Sequence, residues 1–266
     1  VNSSRTEMTA VVLAGQRDGE NELAEYAGVT CKAFVDIDGQ PMLSRVLDTL
    51  ASCSGVGGII LSGPDKDKLN DQVAISRRIE SGEVLWLPPQ GSPSTSAYEA
   101  MRTLDPGEGV LLTTADHPLL TTEIVDYFLQ QSVDSDADVL IGFANYALVR
   151  EAFPTMKKTV LRFRNAELCG CNLFAFLTPK GREAAEFWQS LESQRKNPLR
   201  IIRFLGWWTV ARYLIGVLTL EDALNALSMK LGITIGAASM PFADAAVDVD
   251  SVSDYLLVQE RLSKRG

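Results

Sequence analysis

A chain of 266 residues that is 46% hydrophobic and 22% charged is long enough to bury a sizeable core. Its 34 acidic and 25 basic residues leave a net charge of -9, which would repel a phosphate backbone and disfavours general nucleic-acid binding, so no nucleic-acid partner is expected. A local basic patch could still hold a small anionic ligand.

The four cysteines are Cys31, Cys53, Cys169 and Cys171. Only the last two lie close together, and no second close pair completes a zinc site. His117 is the single histidine, so a zinc site built on several histidines is excluded. Buried or free thiols in a reducing cytosol are the expectation. Residues Val1 to Met8 are polar and lack the apolar core of a signal peptide. The most apolar long stretch, Ile201 to Leu220, holds Arg203 and Arg212 and makes a poor membrane span. A cytoplasmic protein is expected.

In chain order, Thr9 to Leu13 is a β-branched run that reads as a buried strand ending in Ala14-Gly15. A polar loop follows to Thr30. Phe34 to Ile37 reads as a short strand before a turn at Asp38-Gly39-Gln40-Pro41. Met42 to Ser52 has helical apolar spacing at Met42, Leu43, Val46, Leu47 and Leu50. Gly58 to Ser62 and Val84 to Leu87 read as strands, joined by a helical connection over Pro64 to Ile79. After the loop Pro88 to Pro93 comes a helix over Ser94 to Leu104. Gly109 to Thr114 is an apolar strand. Thr121 or Thr122 caps the helix that runs to about Gln131, and Val139 to Phe143 is the next strand.

Beyond Arg150 the pattern changes. Thr159 to Arg164 and Cys171 to Phe176 read as strands of antiparallel type. Helices are expected over Lys180 to Gln194, Pro198 to Gly216 and Thr219 to Leu231, the last capped by Thr219 with Asp222. Ile233 to Ala238 reads as a strand. Ala246 to Asp250 reads as a terminal strand, and Ser251 with Asp254 caps a closing helix. No internal repeat or low-complexity segment is present. Strands alternating with helices predict an α/β fold with a mostly parallel sheet, in one domain over 1–266 with a helical insertion at 182–231. Ligands of such sheets bind at the carboxyl ends of strands, where Gly15, Gln90-Gly91 and Asp116 all fall.

Three segments carry chemistry. Leu13-Ala14-Gly15-Gln16-Arg17-Asp18-Gly19, followed by Lys32, supplies glycines for close backbone approach to an anion and cations for phosphate charge. Thr113-Thr114-Ala115-Asp116-His117-Pro118 delivers an aspartate from a strand into a loop, a candidate Mg2+ ligand or a turn residue. In Val247-Asp248-Val249-Asp250-Ser251, alternation would place Asp248 and Asp250 on one face, where one of them could complete the metal site.

Taken in order, the LAG strand end, the downstream lysine, the QG loop, TADHPLL and the late VDVDS resemble the MobA-like NTP transferases. That family belongs to the wider nucleotide-sugar pyrophosphorylase and cytidylyltransferase superfamily. The resemblance spans Val11 to about Phe143 and returns near the C-terminus. It implies a Rossmann-like GT-A type fold and an Mg2+-dependent nucleotidyltransferase, which joins an NTP to a phosphorylated small-molecule acceptor and releases pyrophosphate. By the same resemblance, Leu13, Ala14 and Gly15 start the nucleotide loop and Lys32 contacts phosphates; Arg17, read from its place in the loop, is a further nucleotide-binding candidate as a cation for phosphate charge. Gln90, Gly91, Ser94 and Ser96 lie at the base. Asp116 is the principal metal aspartate, Asp248 or Asp250 the second, and Asn172 lies near the acceptor. Gln16 stands where the family has a further glycine, and the loop before Lys32 is long, so nucleotide preference is open.

A GT-A glycosyltransferase using a nucleotide-sugar, and a non-catalytic nucleotide-binding protein, are the alternatives. His117 precedes a proline in a loop, and an anionic phosphate nucleophile needs no base, so loop structure or a phosphate hydrogen bond is its expected role. Residues 195–217 combine Arg195, Lys196, Arg200, Arg203 and Arg212 with Trp207-Trp208. They are read first as a helical subdomain packing its aromatic face on the sheet or on a second subunit in a homo-oligomer. The other reading is contact with a membrane surface or a lipid-like acceptor.

Overall fold

The computed structural model of the protein describes residues 7–15, 21–193 and 206–264. Its centre is a sheet whose strands are β1 (Met8–Leu13), β4 (Val56–Ser62), β5 (Val84–Leu87), β6 (Val110–Thr114), β7 (Val139–Asn145), β8 (Leu161–Arg162), β9 (Glu167–Phe176) and β10 (Ile235–Met240). The order is β10-β7-β9-β6-β1-β4-β5, with β8 paired to β9. The pairs β1–β4, β1–β6, β4–β5 and β7–β10 are parallel, whereas β9 runs antiparallel to β6, β7 and β8. The fold is α/β with a mostly parallel central sheet, as expected.

Strand β1 is buried along its whole length. Ala10 and Val12 face one hydrophobic core while Val11 and Leu13 face another, so helices cover both sides of the sheet. One layer includes α2 (Met42–Ala51), which buries Met42, Leu43, Val46, Leu47 and Leu50, and α5 (Thr122–Val133), capped by the Thr121 hydroxyl. The other includes α4 (Pro93–Arg102), α7 (Pro179–Ser193) and α9 (Leu220–Leu231). Arg182 of α7 donates to the Met101 and Leu104 carbonyls at 3.4 Å each, and Trp188 stacks on Phe174 of β9.

The short helices α1 (Glu22–Tyr26), α3 (Val73–Glu80), α6 (Tyr146–Ala152) and α8 (Trp207–Leu214), and the closing α10 (Val252–Ser263), complete the α-helices among the described residues, and single 3-10 turns stand at Lys32–Phe34 and Lys66–Leu69. The expected turn at Asp38-Gly39 closes a small hairpin of β2 (Asp36–Ile37) and β3 (Gln40–Pro41), and both turn residues take positive φ.

Two expectations are corrected. Residues Ala246 to Asp250 form no strand: a single turn of 3-10 helix at Asp244–Ala246 leads into extended chain, held by a bond from Val249 N–H to the Asp116 carbonyl at 2.9 Å. Among the described residues no strand pairs with the segment, and its buried Val247 and Val249 fix it instead. Trp207 and Trp208 do not pack on the sheet either; both are exposed, because α8 turns its other side to β8 through Tyr213 and Phe163. The expected helix over Pro198 to Gly216 is described only as α8, and residues 194–205 lie outside the described residues.

Candidate active site

From β1 the chain proceeds outward to β4 and β5, then crosses to β6 on the other flank of β1. This reversal opens a crevice beyond the carboxyl ends of β1 and β6. Its walls are tied together by bonds that prolong the ladders past the strand ends. Ala14 N–H donates to the Ser62 carbonyl at 2.9 Å, Ala115 N–H to Leu13 at 3.0 Å, and Gly63 N–H to Leu87 at 2.9 Å. A cavity of about 460 Å³ results. Leu13, Ala14, Gly15, Gln90, Gly91, Ser96, Lys32, Asp116 and Asp250 all line it, brought together from distant parts of the chain.

Lys32 is the hub. Its Nζ lies 2.6 Å from Asp116 Oδ2 and 2.6 Å from Asp250 Oδ1. Thr114 Oγ1 donates to the other oxygen of Asp116 at 2.6 Å. Burial would lower the Lys32 pKa, but the two carboxylates override it and hold the ammonium above the ordinary lysine range. Burial would likewise raise the Asp116 pKa, and Lys32 holds it below the usual carboxylate range. Both groups are therefore charged at neutral pH. Asp250 is delivered by the start of α10, where Ser251 and Asp254 form the expected capping box.

The opposite wall is the start of α4. Ser92 caps this helix by accepting from Thr95 N–H, and Pro93 opens it. Ser96 Oγ accepts from Gln90 N–H at 2.9 Å, which pins the QG loop against the helix. Ser94 is not a wall residue; it is fully buried with its Oγ 2.9 Å from Ser92 Oγ. Arg17 lies outside the described residues.

Asp248 and Asn172 also lie off the cavity walls. Asp248 pairs with Lys158 rather than with Lys32. Asn172, at φ 49°, occupies an irregularity where β9 carries extra residues opposite β7, and its Nδ2 lies 3.3 Å from His117 Nε2. His117 is buried, and burial lowers its pKa and keeps the ring neutral. The ring is enclosed beside Asp116.

Sequence reasoning missed Lys158, which follows no motif, and Asn21, Ser92 and Thr114 in the cavity wall. Two of these carried a local signal: Asn21 and Ser92 precede helices and cap them. It also missed Gly63, at φ 81°, where a Cβ would lie 2.9 Å from Gly15 N. Only glycine lets the β4 loop pass so close beneath the β1 loop.

The family model of the MobA-like NTP transferase domain matches residues 10–162, which carry the β1 loop, Lys32, the QG loop and Asp116. The chain belongs to the MobA-like NTP transferase family. Among solved structures, this family member is similar to a hypothetical transferase from Thermus thermophilus, at 28% identity and TM-score 0.78, covering 94% of this chain and 99% of that one. A CMP:2-keto-3-deoxy-manno-octonic acid synthetase complexed with CTP aligns with TM-score 0.61 at 16% identity, over 98% of this chain and 100% of that one. A 4-diphosphocytidyl-2C-methyl-D-erythritol synthase from Anaerococcus prevotii aligns with TM-score 0.56 at 13% identity, over 97% of each. The last two likenesses are of fold, which this MobA-like chain shares with GT-A-like nucleotidyltransferases. Comparison with curated proteins found no match.

Proposed function

We propose that this chain transfers a nucleoside monophosphate from an NTP to a phosphorylated small-molecule acceptor and releases pyrophosphate, with Mg2+ as cofactor. The observation that supports it most is the convergence of Lys32, Asp116 and Asp250 in a cavity closed by the Gly15 and Gln90-Gly91 loops. In this reading the whole chain is one transferase domain and 182–231 its helical insertion.

The donor set fits the metal. Among the described residues, no three His, Cys, Asp or Glu side chains gather as a metal cage. Two carboxylates that already meet on one cationic atom suit Mg2+, which is commonly held by one or two carboxylates together with substrate phosphates. Asp116 and Asp250 would hold it. When bound, the ion neutralises charge on phosphate oxygens.

The chain's own residues do the rest. The backbone at Ala14 and Gly15 approaches the triphosphate closely, and Lys32, firmly protonated, offsets its charge. The N-terminus of α4, with Ser92 and Pro93 in the cavity wall, adds a favourable field for an anion. Gln90, Gly91 and Ser96 contact the base. Asn172 lies on the acceptor side. An acceptor phosphate is already anionic, so positioning and charge neutralisation carry the reaction without a general base.

The test is pyrophosphate release with ATP, CTP, GTP or UTP against panels of sugar phosphates and alcohol phosphates, with Mg2+. One donor and acceptor pair is expected to turn over, and Asp116→Asn to reduce that rate about 10²–10³-fold. Turnover of a nucleotide-sugar, with no pyrophosphate from any NTP, would transfer the chain to the glycosyltransferase reading. NTP binding without turnover against any acceptor would leave a nucleotide-binding protein.

A further inference from the structure

A second pair of opposite charges adjoins the crevice, and the bound NTP has no use for it. Lys158 Nζ donates to Asp248 Oδ1, and the two side chains are 10% and 26% exposed. The lysine comes from the stretch between α6 and β8, the aspartate from the extended run before α10. Burial first, then Asp116, Asp248 and Lys158, act on the His117 ring, so the pair lies within electrostatic reach of it. After burial, the same lysine and aspartate act most on the Cys169 thiol of β9. Further along β9, Asn172 Nδ2 lies 3.3 Å from His117 Nε2, while His117 Nδ1 is buried without a hydrogen-bond partner among the described residues. Lys158, Asp248, His117 and Asn172 thus form a polar cluster outside the walls of the nucleotide cavity.

The register of the extended run fixes where this cluster stands. Val247 and Val249 are buried, so Asp248 and Asp250 project from the other side, with Cα atoms about 7 Å apart. Asp250 goes to Lys32 and Asp248 to Lys158. Two lysines are thereby set side by side along one segment, which the bond from Val249 N–H to the Asp116 carbonyl pins in place. A desolvated ion pair adds little to stability over an apolar contact of similar volume. What this one does supply is a largely buried cation one step along the segment from the cation that meets the triphosphate. A second phosphate placed there would neighbour the first.

On the transferase reading of the crevice, on which this rests, we propose that Lys158 takes the phosphate of the acceptor and that Asp248 holds the lysine until that phosphate arrives. The phosphate displaces Asp248, so the lysine exchanges one anionic partner for another and is never left bare. One acceptor oxygen then forms the new bond to the α-phosphorus, and the bridging oxygen between the α- and β-phosphates leaves with pyrophosphate, so no proton moves. Asn172, joined to the cluster through His117, offers its amide to the rest of the acceptor.

The test is calorimetric titration of inorganic phosphate into the full chain already saturated with Mg2+ and the α,β-methylene analogue of whichever NTP binds, which fills the phosphate sites around Lys32. Phosphate is expected to bind. Lys158→Met should weaken it at least about tenfold, and Lys158→Arg should keep it within about threefold. Asp248→Asn should strengthen it about threefold or more, because the lysine is left desolvated and unpaired. Analogue affinity and thermal midpoints are measured for each variant, and Asp248→Asn with Lys158→Arg decides the matter where Lys158→Met does not fold. Phosphate binding that is absent from the nucleotide-loaded chain, or unchanged in Lys158→Met, overturns the inference. So does weakening by Asp248→Asn, the result expected of an ion pair that only ties two segments together. Failure of every analogue to bind overturns the transferase reading and this inference with it.

Discussion

Asp250 Oδ1 lies 2.6 Å from Lys32 Nζ although 218 positions separate the two residues. The contact depends on the extended run before α10, where Val249 bonds to the Asp116 carbonyl and the capping box fixes Ser251. Asp116, Asp250 and Lys32 are thus held by a strand end, a helix cap and a loop.

Asp250 and Asp248 should separate cleanly in a binding assay. Asp250 shares Lys32 with Asp116, whereas Asp248 is engaged by Lys158. Asp250→Asn is expected to weaken Mg2+-dependent NTP binding about tenfold, while Asp248→Asn leaves it within about twofold. Isothermal titration with and without Mg2+ decides it. Equal losses in both variants would mean that the two carboxylates act together.

Gly63→Ala should damage the nucleotide loop from outside it. The residue sits at φ 81°, and an added Cβ would come within 3.0 Å of the Gly15 backbone. The positive φ and the clash together should cost about 1–3 kcal/mol of stability and weaken NTP binding further by displacing Gly15. Chemical denaturation and NTP titration read the two effects. Unchanged binding in a folded variant would show that the loop adjusts freely.

Asp138 joins three segments near the edge of the sheet. Thr178 Oγ1 donates to one carboxylate oxygen at 2.6 Å and Thr234 N–H to the other at 2.7 Å. The Thr178 bond first, then the Thr234 bond, lowers its pKa below 3.8. A carboxylate depressed on folding stabilises the protein fully above its unfolded value and loses that contribution as pH falls through the folded one. Asp138→Asn should therefore destabilise the protein near neutrality by about 1 kcal/mol, a figure reduced for solvent screening, and by less in the acid range below 3.8. Melting curves across acid pH test the convergence.

The four thiols should be silent in the native protein. Cys31, Cys53, Cys169 and Cys171 are all buried, and burial pushes Cys53 and Cys171 up to about 12. A thiol-disulfide exchange reagent at mildly alkaline pH is expected to react with none before denaturation and with all four after it. Rapid reaction of any thiol in the folded state would reveal local opening around that strand or helix.

Much of this architecture was legible along the chain because its determinants are local. The short apolar runs marked β1, β4, β5, β6 and β7, and the Ser251–Asp254 and Thr219 caps marked where helices begin. The order of LAG, Lys32, QG and TADHP pointed to the family, and LAG, QG and TADHP each follow the end of a strand. Other features were decided only by packing. The late VDVD run alternates like a strand, yet among the described residues no strand pairs with it, and its two aspartates go to different lysines. Trp207 and Trp208 look like core residues by hydrophobicity, but the helix that carries them spends its packing side on β8. The insertion of β9 between β6 and β7, the meeting of Lys32 with Asp116 and Asp250, and the need for glycine at Gly63 beneath Gly15 all join residues distant in sequence. Local propensity carries no record of such partners, because they exist only once the sheet has assembled.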